Sequence, residues 1–119
     1  MKSNFLTVTQ NERGNITNLK FNRDQTEMNW VIDPEYLKVA GYEDADKLFG
    51  EFEMTVTGKK YRSIDQQPTL LKDENHSRAT FHVNGLVVTQ EFELVADSLK
   101  WHFSIENTGD EDTTICLLY

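Results

Sequence analysis

The dipeptide Asn84-Gly85, set between two alternating runs, constrains this chain more than any other feature. A two-residue hairpin turn needs positive φ at both central positions, and Asn-Gly meets that need readily. Centred on this turn, residues 78–83 and 86–95 become antiparallel partners, with Val83 opposite Leu86, Phe81 opposite Val88 and Arg78 opposite Glu91. A second turn around Ala96-Asp97 brings back residues 98–106. It sets Leu94 opposite Leu99, Phe92 opposite Trp101, Glu93 opposite Lys100 and Glu91 opposite His102.

This register sorts the side chains cleanly. One face collects Phe81, Val83, Leu86, Val88, Phe92, Leu94, Leu99, Trp101, Phe103 and Ile105, with Gln90 its one polar member. The other collects Arg78, Glu91, Glu93, Lys100 and His102, with opposite charges across neighbouring strands. A slip of one residue would bury those charges, so the pairing is strongly specified. Gln90 needs a hydrogen-bond partner. Trp101 reads as core.

A one-sided sheet must cover its apolar face, and no long amphipathic helix is available. The N-terminal runs are the natural cover. Residues 5–10 alternate, Asn11-Glu12-Arg13-Gly14-Asn15 turns the chain, and residues 16–22 follow. Residues 51–57 place Phe52, Met54 and Val56 inward and Glu51, Glu53 and Thr55 outward, and Gly58-Lys59 turns them into residues 60–64. Residues 113–119 form a last apolar strand. The expected fold is therefore an all-β antiparallel β-sandwich with at most one short helix. Residues 1–119 read as a single domain, and the apolar end at Leu117-Leu118-Tyr119 reads as one excised from a longer chain. Between residues 28 and 50 the pattern is irregular. Asp33-Pro34 caps a short helix ended by Gly41, or the segment is an ordered loop crossing the sandwich edge.

Charge narrows the partners. The 119 residues carry 20 Asp and Glu against 12 Lys and Arg, a net −8. That argues against DNA, RNA and anionic membrane, which need a basic surface. No run has transmembrane length, and the N-terminal residues lack the apolar stretch of a secretion signal. The single cysteine, Cys116, makes no internal disulfide and reads as a buried small hydrophobe.

Each candidate site competes with a plainer explanation. His82 and His102 share the polar face but lie about 16 Å apart at ordinary strand spacings, too far for ligands that sit about 2 Å from one zinc ion. His76 belongs to a polar loop, so no histidine metal site is expected. The acidic clusters Glu43-Asp44-Ala45-Asp46 and Asp110-Glu111-Asp112 are candidates for calcium, although neither has the spacing of an EF-hand loop and solvated turns explain both. No nucleophile elbow, Cys-His spacing or phosphate loop occurs, and Glu91 and Glu93 each face a cation across the strand. No catalytic residue is assigned. The candidate binding residues are aromatic: Trp30, Tyr36, Tyr42 and Tyr61, with Phe49 near them, lie in or beside the irregular segment and would form a sugar-stacking platform if exposed. Asn15-Ile16-Thr17 and Asn75-His76-Ser77 match the N-glycosylation pattern.

The run Leu99-Lys100-Trp101-His102-Phe103-Ser104-Ile105-Glu106-Asn107, followed by Gly109-Asp110-Glu111, resembles a strand and turn of the galactose-mutarotase-like supersandwich. More closely, it is similar to the N-terminal sandwich that precedes the (α/α) barrel of bacterial glycoside hydrolases. Gly14-Asn15-Ile16, Asp33-Pro34 and Leu48-Phe49-Gly50 fit the same pattern. The resemblance implies a truncated or smaller supersandwich whose parent enzyme keeps its catalytic carboxylates in a barrel outside this chain. It implies an accessory, non-catalytic role, packing on that barrel or shaping its substrate cleft. Localisation would be extracellular or periplasmic for an exported parent and cytoplasmic otherwise. The alternatives are a stand-alone carbohydrate-binding or adhesion module and a small epimerase or mutarotase-like enzyme. Residues 113–119, as an edge strand, add the expectation of a homodimer by strand pairing.

Overall fold

The computed structural model of the chain describes residues 1–41 and 47–118. Among them are strands β1 (Leu6–Gln10), β2 (Ile16–Phe21), β3 (Glu53–Val56), β4 (Lys59–Arg62), β5 (Thr69–Lys72), β6 (His76–Val83), β7 (Leu86–Val95), β8 (Ser98–Asn107) and β9 (Ile115–Leu118), helix α1 (Pro34–Val39) and a 3₁₀ turn (Ser63–Asp65). Every pairing between named strands is antiparallel.

The central sheet has the order β5-β6-β7-β8. Its two hairpins follow the turn chemistry. Asn84 and Gly85 take φ of 47° and 79°, and Ala96 takes 52°. The register is the expected one throughout: Arg78 faces Glu91, Phe81 faces Val88, Phe92 faces Trp101 and Glu93 faces Lys100. Arg78 donates to Glu91, and His76 Nε2 lies 3.6 Å from the same carboxylate. The Arg78 hydrogen bond first, then the Arg78 charge and the nearby His76, hold the Glu91 carboxyl below the usual glutamate range.

The apolar face of this sheet is covered by two small sheets rather than one. The β4-β3-β9 sheet lays Phe52, Met54 and Val56 on Phe81, Val83, Leu86 and Val88. The β1-β2 sheet lays Val8 and Ile16 on Phe92 and Leu94. Strand length explains the division. Ten residues of β7 span about 33 Å and four residues of β3 about 13 Å, so no single short strand covers the face. The two covers meet where the Ile16 N–H donates to the Phe49 carbonyl at 2.9 Å. The result is an antiparallel two-layer sandwich, 52 × 34 × 20 Å in extent.

The irregular segment contains the helix. The Asp33 carboxylate accepts from the Glu35 N–H at 2.8 Å, Pro34 sits in the first turn, and Gly41 follows at φ 83°. Only Leu37 of α1 is buried.

Three sequence expectations are corrected. Glu51 points inward, with its side chain 1% exposed. The strand begins at Glu53, so the alternation does not extend back to Glu51. Its carboxylate takes Arg13 Nε at 2.8 Å and the Ser63 hydroxyl, while Arg13 also donates to the carbonyls of Ser63 and Gln66. Cys116 is exposed, because it pairs with Thr55 on the outward face of its small sheet, while its neighbour Leu117 pairs with Met54 on the core face. Trp101 is 38% exposed instead of buried, since β8 is the last strand of the central sheet.

Candidate binding surface

The surface that stands out lies where the cover over the central sheet is incomplete. Trp101 stacks on Phe92 with ring centroids 6.2 Å apart and planes 14° apart, and Phe49 tilts against both at 5.3 and 5.8 Å. The indole N–H of Trp101 donates to Gln90 Oε1 at 3.0 Å, and Gln90 Nε2 donates to the Gly50 carbonyl at 2.8 Å. Gln90 is thereby satisfied, and it fixes how the indole sits. Tilted and offset aromatic contacts of this kind add about 0.5–1.5 kcal/mol per pair beyond their burial.

The opposite wall is built on β2. The Asn29 side chain acts as an extra strand residue. Its Oδ1 accepts from the Leu19 N–H at 2.9 Å and its Nδ2 donates to the Thr17 carbonyl at 3.1 Å. The Trp30 N–H then donates to the Leu19 carbonyl at 2.9 Å. These bonds hold Trp30, Val31 and Ile32 along the sheet edge. Between the walls lies a groove of about 390 Å³, lined by Leu19, Trp30, Val31, Ile32, Lys47, Phe49 and Leu99. Trp30 is 61% exposed and Ile32 46%. Met28 and, on α1, Tyr36 and Val39 are also exposed.

The aromatic candidates are dispersed. Trp30 lines the groove and Tyr36 is exposed on α1. Tyr61 is half-buried on β4, packs against the core beneath β3, and carries the Lys59 ammonium 5.3 Å from its ring centre. Tyr42 and the cluster Glu43–Asp46 lie outside the described residues. Phe49 and Trp101 emerge beside the groove instead. Alternation alone hid Trp101, because the incomplete cover over β8 follows from sheet order, which is a non-local fact.

Among the described residues, the charged groups form no comparable site, and no three His, Cys, Asp or Glu side chains are grouped to hold a metal ion. The Arg13-Glu51-Ser63 cluster is buried and internally satisfied: Ser63 is 1% exposed, and its hydroxyl oxygen also accepts from the Phe52 N–H at 2.7 Å. It clasps the β1-β2 loop to the β3-β4 sheet. Asn15 is 2% exposed, which closes the first glycosylation motif to modification in the folded chain.

In comparison with known proteins, no family model, no curated protein and no solved structure matches the chain.

Proposed function

We propose that the chain is an accessory β-sandwich of a carbohydrate-active enzyme, and that it packs against the catalytic domain through the Trp30–Ile32–Phe49 groove. The carbohydrate part of this reading is supported by the resemblance carried by residues 99–107. The packing part is supported by one observation: six of the seven groove-lining residues are apolar, and Lys47 is the exception. Sugar sites combine an aromatic floor with several convergent polar groups that fix the hydroxyls. Interface centres are aromatic and depleted in charge. The groove has the second character.

The test compares the isolated chain with the full-length product of its gene. Amide exchange at Val31 and Ile32 and acrylamide quenching of Trp30 should both fall in the longer product. Unchanged exchange and quenching beside a folded catalytic domain would overturn the packing role. The exposure of Trp30 and Tyr36 favours a second reading, an independent sugar-binding module. A glycan array with and without calcium separates the two. Specific binding that is lost in Trp30→Ala would establish the module.

A further inference from the structure

No further inference is drawn: the strongest candidate beyond the proposed packing role, pairing of a second copy along the exposed edge strand β9 at Cys116, rests on a lone cysteine and an open strand edge, and nothing in the structure shows what covers them.

Discussion

At the scale of single residues, the buried Glu51 carboxylate has the largest consequences. It is surrounded by donors, so removing it leaves the Arg13 guanidinium facing a half-buried site with only carbonyl partners. Breaking one side of a buried pair costs about 3–5 kcal/mol. Arg13 retains some exposure, so Glu51→Ala should fall near the lower end, read as a lower urea midpoint at unchanged m-value. Ala96 offers the opposite sign. An L-residue in the left-handed region costs roughly 1–2 kcal/mol, and glycine returns part of that to the unfolded chain. Ala96→Gly should therefore gain roughly 0.5–1 kcal/mol and raise the melting temperature by a few degrees. Of these features, the turn at Ala96-Asp97 was legible in the sequence because a hairpin closes on itself locally. The inward Glu51 was not, because its partners Arg13 and Ser63 arrive from different loops.

At the scale of elements, the register of the central meander and the hairpins β1-β2 and β3-β4 were readable, whereas the pairing of β9 with β3, the strand β5 and the place of His76 in β6 rather than in a loop were not. Each hairpin pair in β6-β7-β8 is set by a turn of two residues, whereas β9 reaches β3 from more than fifty positions away. The same non-locality decides Cys116. Residues 115–118 are apolar throughout, so which of them face outward is decided only when pairing with β3 sets Cys116 beside the outward Thr55. Native protein should thus react fully with a thiol reagent such as dithionitrobenzoate without denaturant, and a lag relieved only by urea would contradict its exposure. On the outer face of β6-β7, Glu91 has its carboxyl pKa lowered by the Arg78 hydrogen bond first, and then by the Arg78 charge and the nearby His76. A lowered folded-state pKa contributes stability above the unfolded pKa, and that contribution is lost as pH falls through the folded value. The stability gap between the native chain and Arg78→Gln should accordingly be widest above the glutamate range and close on acidification. The pair is exposed, so the gap is small and should shrink with salt.

At the scale of the whole molecule, shape explains why apolar surface is left over. A compact chain of this length has a radius of gyration of about 13.5 Å, whereas this one measures 15.7 Å. Two short covers tile a long sheet, and the apolar residues at their margin stay half out of the core. That separates two kinds of aromatic residue. Phe92 is 1% exposed at the centre of one core cluster, and Phe92→Ala should cost about 3–5 kcal/mol. Trp30 and Ile32 contribute little to the fold by the same measure, so Trp30→Ala with Ile32→Ser should change the stability of the isolated chain by under about 1 kcal/mol. Under the proposed packing role, their effect belongs to docking. A partner that binds only the folded state stabilises it by RT ln(1 + L/Kd), where L is the free partner's concentration, so the effect grows with that concentration relative to Kd. The double variant should therefore melt like the native chain when isolated, yet lose the extra protection that the packing role predicts beside a catalytic domain. A large drop in the melting temperature of the isolated variant would instead make these side chains part of the core. No change in either setting would show that the groove is not the surface used.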